Sequence, residues 1–408
     1  MTSSKKCWPG RAVWPAILAA LLLSGLAACG SDKNDDTPTP PILCTNAPAP
    51  TSLTISGYAP TDGTHDGVFD PSLTEDGCER VWMSYSAVRN HSSGLRLVST
   101  RIARGNDSGS GWEDVGVAPN NVTVYELNPA APISQRRYGA WEQETSRLVY
   151  DPYSSDANQR WKILWHRYRF DQATVGSPGS PLFQHSWISY SAAPQATGPW
   201  SPERKLFAGS LYDITNNTIV GPPEYNLHTA DPALNDCLAF AEPGMLATPN
   251  GMYLSLKCAS GPNGAGNVIL LRCDNQFSAG SCTYRGTILA GSEAPIYNNA
   301  FGAGANSFTG FSATDLARIG ATDYLLVTPT ENDGYRGCFA FEISSLDNAT
   351  LVRASGVATL RGSVTGTPGS FNGACGHTAS NTALGIVYSE LVLTANPFFR
   401  IFASGQGL

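Results

Sequence analysis

From position 53 to the last residue the chain carries no sustained helical periodicity, and that absence limits the folds open to it. What recurs is a short apolar or alternating run closed by Gly, Pro, Asn or Asp. Val81-Trp82-Met83-Ser84-Tyr85-Ser86 is one such run and Trp161-Lys162-Ile163-Leu164-Trp165-His166 another, with further ones at 251–256, 323–328 and 383–389. Runs of that length between turn formers read as strands. The supply of turn residues fits, with 41 Gly and 28 Pro, and only 14% of residues are charged. That balance suits an all-β body with many tight turns. About 350 residues of this pattern exceed one ordinary sandwich and point to radial repetition.

A weak repeat supports this reading. Each unit has an acidic or small-residue turn, a loop, and then an aromatic-aliphatic strand that ends in Ser. Asp70-Pro71-Ser72, leading to 81–85, opens the first unit. Trp141 to Tyr150 with Asp151-Pro152 opens the second, Glu242-Pro243-Gly244 the third, Phe311-Ser312-Ala313 the fourth and Gly376-His377-Thr378 the fifth. Five units of three or four strands each predict a five-bladed β-propeller over 53–408. Two β-sandwich domains are the other arrangement, but no linker-like segment follows Pro50 to separate them.

The first 50 residues read differently. Lys5, Lys6 and Arg11 precede an apolar run at 16–23, and Leu26-Ala27-Ala28-Cys29-Gly30 follows. Charge, apolar run and small residues in that order make an export signal. The run is shorter than the roughly 20 residues needed to span a bilayer. The residues before Gly30 resemble the lipobox of bacterial lipoproteins. That resemblance implies a signal peptide over 1–28 and a lipid on Cys29. Residues 29–52 then form a linker, with Thr37-Pro38-Thr39-Pro40-Pro41 as its stiff part. Acyl chains hold a soluble body at a membrane, at about 0.8 kcal/mol per buried methylene. Membrane contact is expected through the lipid only. Gly30 stands where an Asp would resemble the inner-membrane retention signal, so the resemblance implies an outer-membrane anchor, facing the periplasm or the cell surface.

The formal net charge is −7, and the signal peptide would take Lys5, Lys6 and Arg11 with it but no acidic residue. An acidic body argues against nucleic acid or anionic lipid as partner. Of the 10 cysteines, Cys7 lies in the signal and Cys29 at its end. The remaining even number suggests disulfides in an oxidising compartment. Spacing singles out only the local pairs Cys273–Cys282, across a hairpin turn, and Cys237–Cys258, on neighbouring strands. There is no C-x-x-C pair to suggest zinc.

Four stretches resemble the five-bladed propeller clan of glycoside hydrolases, family 43 with its relatives 32 and 62. They are Asp70-Pro71-Ser72, Ser189-Tyr190-Ser191 through Thr197-Gly198-Pro199-Trp200-Ser201, Glu242-Pro243-Gly244 through Tyr253-Leu254, and Gly376-His377-Thr378. The resemblance implies an arabinanase- or xylosidase-like activity on an oligo- or polysaccharide, with Asp70 as general base. It also implies that His377 lies near a channel ion, for which Ca2+ is the candidate; no cofactor follows from the residues themselves. Glycoside hydrolysis needs one protonated and one ionised carboxyl across the scissile bond. For the acid the sequence offers Glu242, beside the apolar Ala239-Phe240-Ala241, since burial raises a carboxyl pKa. Relatives carry the acid in a later blade, where this chain has Thr309-Gly310-Phe311-Ser312 and Asp315 but no Glu in register. Asp231 is the candidate third carboxyl, with Glu144 and Asp151 as further choices. His65, Trp141, Arg137 and His166 are the candidate sugar contacts. Each candidate also has a structural reading: a turn-forming Asp before Pro, a Glu paired with an Arg, a hydrogen-bonded core His, or a Trp filling space between sheets.

No G-x-S-x-G elbow, H-E-x-x-H or phosphate-binding glycine motif is present. The alternative to an enzyme is a non-catalytic surface lipoprotein that binds glycans or a protein, in either case a monomer. Replacing Cys29 by Ala is expected to move the protein from the membrane to the soluble fraction of a lipoprotein-exporting host. Fractionation with palmitate labelling reads this; membrane retention without label would count against the anchor.

Overall fold

The computed structural model describes residues 51–56, 64–78, 80–106, 111–118, 122–210, 212, 223–225, 227, 231–260, 266–301, 306–331, 334–365, 372–377, 383–391 and 398–408. The expected signal peptide, Cys29 and Cys44 lie outside the described residues. Thr51 and Ser52, expected at the end of the linker, already pair with Ala403 and Phe402.

The described body is built mostly of β-strands in antiparallel meanders. The first runs β1 (Thr64–Glu75), β2 (Val81–Asn90), β3 (Arg96–Gly105) and β4 (Gly111–Val117). The second has β5 (Thr123–Glu126), β6 (Tyr138–Tyr150), β7 (Trp161–Asp171), β8 (Ser180–Ala193) and β9 (Arg204–Phe207). The third comprises β10 (Ala239–Thr248), β11 (Gly251–Ala259), β12 (Asn267–Cys273) and β13 (Thr283–Leu289). The fourth contains β14 (Phe308–Ile319), β15 (Thr322–Glu331), β16 (Cys338–Ser345) and β17 (Leu360–Val364). Last come β18 (Asn372–Gly376), β19 (Val387–Leu391) and β20 (Phe399–Ala403), with Phe399 bridging in parallel to Gly67 of β1.

These strands are buried on both faces; residues 81–88 of β2 are buried without a break. That suits sheets that pack against neighbours on either side. Trp82 meets Trp161 between the first and second meanders, with ring centroids 5.4 Å apart, and Tyr190 meets Phe277 at 4.6 Å between the second and third. Cys237–Cys258 and Cys273–Cys282 form the two local disulfides expected from spacing, and Cys338–Cys375 ties the fourth meander to the last.

Each opening strand packs on the next: β1 on β6, β6 on β10, β10 on β14, β14 on β18, and β18 back on β1. The approach is close. A Cβ on Gly244 of β10 would lie 2.8 Å from the Asp315 Cα of β14, so only glycine fits there. Where the opening strands converge, Arg147 of β6 forms an ion pair with Asp315 of β14, both side chains 3% exposed. Leaving one buried partner uncompensated costs about 3–5 kcal/mol, whereas an apolar pair is often tolerated. Arg147→Met is therefore expected to destabilise by about that amount, and Arg147→Met with Asp315→Leu to recover most of it, in a denaturant-unfolding double-mutant cycle.

Candidate active site

One backbone device recurs in every opening strand. Asp70, Thr145, Glu242, Ala313 and Ala374 all have left-handed backbones, with φ of 53°, 47°, 53°, 45° and 50°. At each, the register with the second strand of the meander slips, between Phe69/Ser72, Glu144/Arg147, Ala241/Gly244, Ser312/Asp315 and Gly373/Gly376. These are β-bulges, which re-aim side chains and leave a backbone group out of the ladder. Non-glycine residues in such conformations cost roughly 1–3 kcal/mol each and cluster at functional sites.

The residue before each slip pairs with a polar residue on the second strand: Ser86, His166, Lys257, Thr328 and Ser389 in turn. Several of these side chains satisfy the backbone freed by a neighbouring bulge. Ser86 Oγ accepts from the Thr145 N–H at 3.2 Å, Thr328 Oγ1 from Ala374 at 2.8 Å and Ser389 Oγ from Asp70 at 2.8 Å. For Ala313 the acceptor is the Glu242 carboxylate, at 2.6 Å. The bulges and the second-strand polar row thus form one interlocked unit.

That unit opens onto a cavity of about 420 Å³. Asp70, Glu144 and Glu242 all line it. Phe69, Phe170, Phe398 and Phe399 supply an apolar wall, with Tyr168 and Tyr335 among the carboxyls. Asp70 accepts from Ser86 Oγ at 3.1 Å and Thr145 Oγ1 at 3.2 Å. Glu144 accepts from the Tyr168 hydroxyl at 2.5 Å. Glu242 accepts from the Ser312 hydroxyl, the Ala313 N–H and, at 3.2 Å, Tyr335; Lys257 Nζ is 3.8 Å away.

Three buried carboxyls this close cannot all be ionised. Burial, then the charges of Glu144 and Glu242, push Asp70 well above the usual carboxylate range. Burial lifts Glu144 to about 7, with Tyr168 opposing and Glu242 adding. Burial also acts to raise Glu242, but Lys257, Ser312 and the Ala313 N–H outweigh it and hold it below its ordinary value. Glu242 is therefore the anion of the trio, while Asp70 and Glu144 are each pushed toward the protonated form. The apolar neighbours Ala239 to Ala241 suggested the opposite for Glu242; the donors that decide it come from β11 and β14. Burial brings His166 down to about 4, so it stands beside Glu242 as a neutral imidazole.

Of the residues singled out from sequence, Asp70, Glu144 and Glu242 meet in the cavity, and His166 adjoins Glu242. The others are placed elsewhere. Asp231 does not line the cavity; its side chain accepts from the Ala233 N–H and caps the short turn Pro232–Leu234. Trp141 is buried with its ring 5.1 Å from Trp187, filling space rather than facing a ligand. Arg137 donates to the Ala173 carbonyl. His65 lies opposite Arg89 at the start of β1, outside the cavity lining. No tryptophan lines the cavity; its aromatic residues are phenylalanines and tyrosines. Lys257, Ser312 and Tyr335 were not anticipated, because only the pairing of strands brings them to Glu242.

The fit of a channel ion can be tested on the space beneath the bulges. About 10 Å³ is free there, lined by Arg147 among others. That is room for about one water, and a guanidinium already supplies positive charge. Among the described residues no group of three or more His, Cys, Asp or Glu is placed to hold a metal. His377 is buried and is not among the residues lining that space.

A carboxyl raised from 4.5 to about 7 in the folded state binds its proton more tightly folded than unfolded. Stability then falls as pH rises between those values and stays lower above them, by up to about 3 kcal/mol. Glu144→Gln is therefore expected to change stability little near pH 4 and to stabilise the protein above pH 7, measured as Tm across that range. A constant difference at every pH would contradict the raised pKa.

No protein-family profile and no curated protein matches the chain. Among solved structures it is similar to a family 117 glycoside hydrolase of the marine bacterium Zobellia galactanivorans, at 13% identity and a TM-score of 0.48, over 88% of this chain and 90% of that one. It is also similar to the family 43 endo-arabinanase of Bacillus licheniformis, at 13% identity and 0.41, over 84% and 93%. The catalytic domain of the family 62 α-L-arabinofuranosidase of Coprinopsis cinerea gives 12% and 0.43, over 86% and 95%. These likenesses are distant.

Proposed function

We propose that the chain is a glycoside hydrolase on a five-bladed β-propeller, acting on an oligo- or polysaccharide. One observation carries the reading: Asp70, Glu144 and Glu242 share a cavity in unlike protonation states. A protonated and an ionised carboxyl flanking one space is what glycoside hydrolysis requires. The opening strands, each bulged at the same point and packed in sequence back to the first, support the propeller. Phenylalanine faces give a sugar ring an apolar surface to lie on.

The protonation pattern exchanges the roles expected from sequence. The Asp70–Glu144 pair gives its proton to the glycosidic oxygen as the C–O bond breaks. Glu242 supplies the negative charge, taking a proton from the attacking water or bonding the anomeric carbon itself. His166, neutral, leaves that charge unneutralised. A lipid on Cys29, an outer-membrane location and a monomeric body complete the proposal, resting on the sequence at 26–30 and the net negative charge.

Asp70→Asn and Glu242→Gln are each expected to lower kcat by about 100-fold or more, measured as reducing sugar released from plant and bacterial polysaccharides. Wild-type rates in both would remove the reading. Wild-type activity is expected to fall as pH rises through about 7, where Glu144 loses its proton. Removing the Glu144 charge lowers the Asp70 pKa, so Glu144→Gln should move that alkaline limb to lower pH.

A further inference from the structure

Among the described residues lining the cavity, Arg96 is the cation, and it has no ion-pair partner. It opens β3, where its N–H donates to the Pro178 carbonyl at 3.0 Å, and its side chain lines the cavity. The guanidinium lies over the Phe399 ring, 5.9 Å from its centroid. Its Nε is buried and has no hydrogen-bond partner. Among the described residues no carboxylate forms an ion pair with it, although Lys257 and Arg147 nearby are each engaged by one. Burying a guanidinium donor without an acceptor is unfavourable, so the position is poised for an acceptor supplied from outside.

The surroundings indicate which acceptor. Phe399 stacks on Phe69 at 5.2 Å between centroids, and Phe69 precedes Asp70. Arg96, two aromatic rings and the proton-holding carboxyl thus follow one another along one wall. A planar guanidinium fork matches a carboxylate bidentately, and more strongly than it matches a neutral hydroxyl. Asp70 and Glu144 hold a proton, so the repulsion an incoming anion meets comes chiefly from Glu242, which Lys257 faces. The net charge of −7 disfavours anions at long range, but beyond about 8 Å it is screened at physiological salt.

We infer that the cavity takes an acidic sugar, a uronic acid residue whose carboxylate is held by Arg96 while its ring lies on Phe399 and Phe69. This rests on the glycoside hydrolase reading and names its substrate class. The test is calorimetric titration of the Glu242→Gln protein with trigalacturonate and with a glucuronate-capped xylobiose, each against its carboxyl-reduced neutral form. At least one acidic probe is expected to bind tenfold or more tighter than its neutral form, and raising NaCl from 50 to 500 mM should narrow the gap. Adding Arg96→Met should abolish the preference. Arg96→Lys, which keeps the charge and loses the fork, should retain part of it and guards against a folding defect in the Met variant. Equal affinity for acidic and neutral forms, no binding of either, or a preference that survives Arg96→Met overturns the inference. Sugar release by the wild type separates the two readings. Hydrolysis of neutral glycans without a uronate preference keeps the hydrolase and removes the uronate site. Arg96-dependent uronate binding without cleavage keeps the site and removes the hydrolase.

Discussion

The rest of the architecture depends on the left-handed bulge near the middle of each opening strand. At Asp70, Thr145, Glu242, Ala313 and Ala374 the chain accepts a conformation that Cβ-bearing residues avoid. It persists because the neighbours over-determine it. The N–H freed at Asp70, Thr145 and Ala374 finds a hydroxyl from another strand, and the one freed at Ala313 finds a carboxylate. Without the slip, period-two alternation would run unbroken along each strand, and consecutive carboxyl-bearing positions would face opposite sides of the sheet. With it, Glu144, one residue before its bulge, and Asp70 and Glu242, at theirs, open onto the same space.

The same interlock sets the charge. Lys257 donates to Ser312 at 2.7 Å, Ser312 donates to Glu242, and Glu242 accepts from the Ala313 N–H, so backbone strain, a cation and an anion are coupled in one short chain of contacts. On the other side Asp70 and Glu144 have hydroxyl donors but no cation. A hydroxyl donates to an ionised carboxylate and also accepts from a protonated one, so it tolerates either state. An ammonium tolerates only the anion. The asymmetry between Glu242 and its two companions follows from that difference. The buried Arg147–Asp315 pair compensates its own charge.

Much of this was legible in the sequence, and the limits have physical causes. Short strands between turn formers gave the β class, and Asp70-Pro71 and Glu242-Pro243 stood out as openings of repeat units. In the second unit the left-handed residue is Thr145 and the acid, Glu144, sits one position earlier, so the sequence offered it only as a further choice. The strand-ending Ser was visible as a pattern, but its work as a cap for a neighbouring bulge depends on register between distant segments. Asp231-Pro232 shows how little the dipeptide alone says: it matches Asp70-Pro71 residue for residue and caps a turn instead. Tryptophans were the natural sugar platforms by type, yet the sheets need their volume between them, as at Trp82 and Trp161. The cavity wall falls to the smaller phenylalanines.

Protonation was the least readable property, for a reason that extends beyond this chain. Apolar neighbours in sequence say that a carboxyl will be buried, and burial alone raises its pKa. Whether it ends raised or lowered depends on donors and cations that arrive from other strands. Ala239 to Ala241 correctly marked Glu242 as buried. Lys257, Ser312, Ala313 and Tyr335 then reversed the consequence. Asp70, expected as the base, is instead pushed toward neutrality, by burial first and then by the charges of Glu144 and Glu242. Which acid holds the proton thus depends on strands far apart in sequence packing on one another.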